Sequence, residues 1–376
     1  MKRLLVLFFG FTAFTHLSAQ SFFAMGGLGE EIITFDARSG SLGGISALSY
    51  QNPSYPLIRQ NTILEAAIIG SGVYGKDTDK RRFIAGVRPN YLKGIFGLPL
   101  GFGIGLGLAE RFNQNFDIFS DSQAGYQRHI VGYGGIYNFN LSLARTFYNI
   151  LGLGVEYNRN FGNSLERWFF ETSQTTTITT DTVITEYRGD GLKFGVSAQI
   201  WAFNLGAVYE KPMPLYINGQ VLSHGIVTDS FSDLKFEYPP RIGFGLSFDA
   251  IPKLTIYLDY FNRKSKNTKV ADTAWSIFRN SNKYSIGFEY NLDDKHPLRV
   301  GYRYYDWYFN ETSNQVINEQ ALTLGSGIPI PGFGVFDFAV ELINRKGGAL
   351  TERIGRLNLT LHYEEAWKIR KRRWGY

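Results

Sequence analysis

The sequence contains no cysteine. Disulfide bridges, zinc thiolate sites and an acylated lipoprotein thiol are excluded with it. Histidine is scarce, at five residues, and no pair of them has metal-ligand spacing. There is no Gly-x-Ser-x-Gly element, and the Gly-x-Gly runs are not followed by a helical pattern. They neither present a nucleophile nor cradle a phosphate, so the reading is of a protein that is not an enzyme and needs no cofactor. Charge of one sign is not in large excess: the formal balance is +6. It falls to about +4 without Lys2 and Arg3, too mild to argue for nucleic acid. Long hydrophobic runs are missing too. The stretch from Leu4 to Phe14 is largely apolar, but at roughly a dozen residues it is shorter than the about 20 that a helix needs to cross a bilayer. Preceded by Lys2 and Arg3 and followed by Leu17-Ser18-Ala19, it reads as an export signal over residues 1–19, with a membrane anchor as the alternative. Export without helical spans leaves the periplasm, secretion or an outer membrane.

What is abundant is glycine and aromatic residues: 42 Gly, 31 Phe and 23 Tyr, a balance that favours twisted, closely approaching strands. Their arrangement has period two. Leu298, Val300, Tyr302 and Tyr304 alternate with Arg299, Gly301 and Arg303; Leu357, Leu359 and Leu361 alternate with Arg356, Asn358, Thr360 and His362. Leu254 to Tyr260 and Tyr284 to Tyr290 repeat the pattern, and Phe102 to Leu108 alternates apolar residues with glycine. A soluble β-sandwich alternates as well.

Connection lengths separate the two architectures. Fourteen strands are read, at approximately 61–73, 80–89, 98–111, 128–146, 150–161, 188–200, 203–211, 238–248, 252–263, 281–290, 297–309, 320–328, 333–344 and 352–363. Connections after the third, fifth, seventh and ninth are long and polar, including Thr172 to Thr185 and Asn262 to Asp272. Those after the fourth, sixth and eighth are short, such as Phe147-Tyr148-Asn149 and Asp249-Ala250-Ile251. An even meander with long loops at one rim and tight turns at the other predicts an all-β chain forming a transmembrane antiparallel β-barrel over residues 61–363. Both termini are then expected in the periplasm, with residues 364–376 as a basic tail.

In pattern the chain resembles the FadL/TodX outer-membrane transporters of hydrophobic compounds, including their PorV-like relatives in type IX secretion. Ser39-Gly40-Ser41-Leu42-Gly43-Gly44 leads to Asn52-Pro53-Ser54, where the family has Asn-Pro-Ala after a Gly-rich stretch. The Ala is replaced and the spacer is short. Tyr209-Glu210-Lys211-Pro212, Pro239-Pro240-Arg241 and the strand pair from Tyr284 to Tyr304 also look like the family's. The resemblance implies fourteen strands and an N-terminal hatch in the lumen, here residues 20–60 with Gly40, Gly43, Gly44, Asn52 and Pro53. Apolar side chains such as Phe22, Phe23, Ile32, Phe35, Leu42 and Ile45 argue against the alternative of a mobile periplasmic tail.

The resemblance also implies a sideways exit through the wall. Pro99, Gly101 and Gly103 mark the candidate defect; alternatively these glycines only make room for the hatch or allow curvature. If Leu298 and its partners face lipid, the lumen receives Glu156, Lys193, Arg241, Asp259, Lys283, Glu289, Arg299, Arg303, Asp337, Glu341, Arg356 and His362. Opposite charges there can pair and hold the hatch, or bind a substrate. An apolar pocket would have to come from the hatch and from Trp168, Phe169, Phe170, Phe231 and Phe236. The expected function is uptake of hydrophobic small molecules such as fatty acids, with a scaffold or cargo shuttle of a secretion apparatus as the alternative. Expected partners are outer-membrane lipid and lipopolysaccharide, a hydrophobic ligand and secretion or envelope proteins.

Overall fold

The computed structural model describes residues 21–54, 62–76, 81–121, 126–172, 175–293, 296–312, 315–331 and 334–365. The expected export signal, the end of the expected hatch and the tail from residue 366 lie outside them. The N-terminal segment holds a short strand, β1 (Glu30–Glu31), and a one-turn helix, α1 (Ala37–Ser41). The ring begins with β2 (Thr62–Lys76), β3 (Arg81–Gly97), β4 (Phe102–Asn113) and its continuation β5 (Phe116–Asp121). It proceeds through β6 (Tyr126–Phe147), β7 (Leu151–Thr172), β8 (Thr175–Ile200), β9 (Phe203–Ser223), and β10 (Ile226–Glu237), which runs on into β11 (Arg241–Ile251). Next come β12 (Leu254–Arg263), a small hairpin of β13 (Lys269–Val270) and β14 (Thr273–Ala274), and β15 (Ser281–Asn291). The last strands are β16 (Pro297–Thr312), β17 (Gln315–Ile330), β18 (Gly334–Gly347) and β19 (Leu350–Glu365). β19 closes onto β2 from Thr351 opposite Lys76 to Glu365 opposite Thr62. With β4 and β5, and β10 and β11, each taken as one strand, this is a closed antiparallel barrel of 14 strands.

The side-chain distribution is inverted relative to a water-soluble domain. Along β19, Arg356, Asn358 and Thr360 are buried while Leu357 is 43% exposed. Along β16, Arg299 and Arg303 are buried and Leu298, Val300 and Tyr302 face out. Polar inside and apolar outside is the pattern of a wall in lipid, and closure satisfies the backbone where no water can. The outward apolar band starts at the rim that carries Thr62 and Glu365, called the lower rim. On β7 and β8 it ends at Tyr157, Arg159 and Asp190, where both Arg159 and Tyr157 bond to the Asp190 carboxylate.

Above that level the structure departs from the sequence reading. Much of the long polar connections is paired strand: Ser164 lies opposite Thr185, and Phe231 opposite Gly219. The reason is that alternation identifies a strand only where one face must be apolar. Beyond the bilayer both faces meet water, and β-branched threonines hold extended backbone without leaving a hydrophobic trace.

Candidate functional site

Residues 21–54 lie inside the ring and are mostly buried against its inner wall. The Ser21 hydroxyl caps the first turn by accepting the Phe23 amide, and the Asp36 carboxylate caps α1 by accepting the Ser39 amide at 2.7 Å. Gly43 and Gly44 then reverse the chain at φ values of 77° and 76°, where a Cβ is strained.

The wall accommodates this segment with inward glycines that face each other across strands. Gly154 lies opposite Gly195, Gly206 opposite Gly245, and Gly287 opposite Gly301. Pro53 and Asn52 fill the space at the first pair, Ala47 and Leu48 at the second, and Leu42 and Gly43 at the third. Gly40 sits beside Ala339 and Glu341 of β18. Asn52 fixes its own turn: its amide donates to the Ala47 carbonyl at 2.8 Å and the Val196 carbonyl at 3.1 Å, while its oxygen accepts the Ser54 amide.

Charged side chains tie the segment down. Glu30 meets Arg345 at 2.8 Å and Arg356 at 2.9 Å. Glu31 meets Arg263 at 2.9 Å and Arg241 at 3.5 Å, and accepts the Tyr305 hydroxyl at 2.8 Å. Burial alone would raise both carboxyls; the surrounding guanidinium groups override it and hold both below the usual 4.5. Arg303 bridges Glu319 and Glu341, and Glu341 also accepts the Thr34 hydroxyl. Arg299 bridges Glu289 and Asp337. Asp259 pairs with Lys283 and accepts the Ser46 and Ala47 amides at 3.0 and 2.8 Å. Lys193 pairs with Glu156 at 2.7 Å. The inner charges therefore contact one another or the enclosed segment.

One seam of the wall lacks backbone pairing. β3 and β4 pair only from Gly97 opposite Gly103 to Tyr91 opposite Ala109. Above Tyr91, a register shift against β2 leaves Asn90 as an extra residue between Tyr91 and Pro89. Such a bulge bends the strand away from its neighbour. The Asn90 amide turns inward to the Thr34 and Phe35 carbonyls. β4, left with a free edge, takes β1 instead, with Glu30 opposite Asn113 and Glu31 opposite Phe112. Side chains bridge the rest: Arg88 to Glu110, and Arg82 to Asp117 at 2.6 Å. This corrects the expected wall defect. Pro99 and Gly101 belong to a turn at the lower rim, and Gly103 is paired on both sides, with Gly97 and Ala144. The missing pairing follows from the bulge at Asn90, one strand earlier and higher up.

Over the first turn of the enclosed segment lies an aromatic cluster. Trp307, Tyr308 and Phe309 fall in an irregular stretch of the β16 ladder and are buried together with Phe23, Phe112, Phe236, Tyr238 and Phe278. The Tyr308 hydroxyl donates to the Gly29 carbonyl and accepts the Leu28 amide, both at 2.7 Å. Phe231 borders this cluster, Trp168 borders a smaller one at Phe116 and Ile130, and the Phe169 ring lies 5.4 Å from His129. The Phe170 side chain is outside the described residues. Among the described residues, two voids inside the barrel measure about 60 Å³, beside Asn138, Asn158 and Lys193, and about 20 Å³, beside Glu31 and Lys283. A cavity of about 810 Å³ is a concavity bordered by outward side chains such as Leu205, Phe244, Leu258 and Tyr284, and so belongs to the lipid side.

Sequence reasoning missed Glu30, Glu31, Arg263, Glu319 and Arg345. The pair of adjacent glutamates in an otherwise apolar, Gly-rich segment was the available signal: carboxylates there require cationic partners once buried. Arg345 and Glu319 lie in segments that the alternation pattern left outside the strands.

No family model matches the chain, and no curated protein matches it in sequence. Solved structures do. A FadL homologue of Pseudomonas aeruginosa aligns at 10% identity over 89% of this chain and 99% of its own, with a TM-score of 0.64. The toluene transporter TodX of Pseudomonas putida aligns at 13% identity over 90% and 99%, with a TM-score of 0.63. The CymD monoaromatic hydrocarbon channel aligns at 12% identity over 90% and 99%, with a TM-score of 0.60. The chain has the fold of this class of barrel.

Proposed function

We propose that the chain is an outer-membrane barrel that takes up hydrophobic small molecules, fatty acids among them, with both chain ends in the periplasm and residues 21–54 as its hatch. The observation that carries this reading is the seam between β3 and β4, where the hatch strand occupies wall that β3 leaves unpaired. An apolar solute collected at the aromatic cluster near Trp307 and Phe236 reaches the hatch at Phe23 and Leu28, and leaves sideways at the seam into lipid. It then never has to dissolve in the aqueous periplasm. A cavity of about 150 Å³ is the size that holds a benzene. The two inner voids are smaller than this, so the hatch yields during passage. Uptake of a panel of radiolabelled lipophiles by cells with and without the gene tests the reading; equal uptake contradicts it.

A second reading, a scaffold or cargo shuttle of a secretion apparatus, is favoured by the filled lumen and by the tall strands β7 to β10 above the apolar band. Purification of the native barrel separates the two. Stoichiometric large envelope proteins support the scaffold, and a lone barrel supports the transporter.

A further inference from the structure

We propose that the lower rim from β4 to β9 is a docking site for a glycerophospholipid, with the Arg145 guanidinium as the ligand of the headgroup phosphate. The inference rests on the reading above that this rim borders the inner leaflet of an outer membrane.

Arg145 lies on β6 near its lower end, flanked by the buried, inward Ala144 and Thr146, and is itself exposed on the lipid side. Its guanidinium stands 4.8 Å from the ring of Phe102, its cross-strand partner on β4, and 4.8 Å from the ring of Phe147. Among the described residues no carboxylate lies within ion-pair distance of it. Arg159 and Arg188, at the upper edge of the band, are different: they pair with Asp190 and Asp233. A cation at the border of an apolar wall, held between two rings and lacking a protein anion, needs an external one. The lipid phosphate is the anion present at that depth, and a planar guanidinium can bond it with two N–H groups. The two rings restrain the side chain beforehand, so less freedom is lost on binding. Leu143 and its cross-strand partner Val155 continue the outward face above Arg145, whose own partner on β7 is Leu153, and offer acyl chains an apolar track.

The turns beneath carry a second, independent sign. Leu100, Tyr148 and Trp201 occupy successive lower turns at φ values of 63°, 52° and 57°, and are 83%, 94% and 89% exposed. Left-handed turn positions favour Gly, Asn or Asp. Large apolar side chains there, pointing away from the protein, fit the boundary between headgroups and hydrocarbon. The turns abut one another: the Thr146 carbonyl lies against Gly101, and the Gln199 amide donates to the Ile150 carbonyl at 2.8 Å. They form one arc with Arg145.

The test titrates the whole chain, folded in neutral detergent, with short-chain phosphatidylglycerol and counts bound lipid by native mass spectrometry. The expected result is one retained lipid per barrel, with Arg145→Gln weakening retention about tenfold and Arg145→Lys less. Diacylglycerol of the same chain length is expected not to be retained, and excess inorganic phosphate not to displace the phospholipid. Arg145→Lys keeps the charge and carries the test should Arg145→Gln fail to assemble. Equal retention by the wild type and the folded variants overturns the proposal, as does displacement by inorganic phosphate, which would make the site one for free phosphate. No transported solute is present, so failure here is distinct from failure of the uptake reading.

Discussion

The Ala47 carbonyl oxygen, in the segment proposed as the hatch, lies 2.2 Å from the place where a Cβ on Gly206 would stand. The contact joins hatch and wall through backbone alone, so no rotamer change relieves an added side chain. Gly206→Val is expected to leave the barrel assembled but to unseat the hatch locally, at about 1–3 kcal/mol for overpacking. Faster proteolysis of residues 21–54 in an intact barrel checks this. A cleavage rate equal to the wild type contradicts it.

Glu30 is buried between Arg345 and Arg356, so Glu30→Ala leaves two guanidinium groups facing a void. Removing one partner of a buried ion pair costs about 3–5 kcal/mol, whereas replacing both by apolar groups is often close to neutral. The expected outcome is a hatch that opens more often, read as larger ionic conductance in planar bilayers. Glu30→Gln, which keeps the volume and an acceptor oxygen for Arg345 and Arg356, is expected to open less than Glu30→Ala.

The two hatch carboxyls also set a pH dependence. Both are held below the ordinary 4.5 of the unfolded chain, so their contribution to hatch seating is complete above about pH 4.5 and is lost as pH falls through the depressed values. The difference in protease protection between the wild type and a Glu30→Gln, Glu31→Gln variant is therefore expected to be constant from pH 8 to about 5 and to shrink only in stronger acid. A loss beginning near pH 6 would point to groups other than Glu30 and Glu31.

On the lipid face, Phe288 points outward from β15 while its neighbour Glu289 is buried against Arg299. Phe288→Arg is expected to impair assembly by about 2–4 kcal/mol near the bilayer midplane. Thr360, inward on β19, is expected to tolerate Ser. Equal urea midpoints for the two variants in liposome refolding would contradict the register.

The barrel was legible because lipid on one side and charge on the other impose strict alternation, as at Leu298 to Tyr304. The same logic failed above the bilayer, where Thr175 to Thr185 forms strand with no apolar face to announce it. Inner charges such as Arg299 and Asp259 could be placed from parity, but their partners could not, since pairing depends on register and on a hatch that has no period. Glycine and proline are the visible breakers, so the sequence points to the glycines of β4 for a seam. It arises instead from one extra residue, Asn90, whose effect appears only when β3 is aligned against β2.

The claim that the hatch must yield is tested most directly by locking it. A Cβ placed on Gly40 lies 3.7 Å from the Ala339 Cβ, within the spacing of a disulfide, and the chain has no other cysteine to compete. Gly40→Cys with Ala339→Cys, oxidised in whole cells, joins α1 to β18. Uptake of a radiolabelled lipophile is predicted to be abolished in the oxidised barrel and restored by reductant. Undiminished uptake with the disulfide shown to be formed would contradict the account.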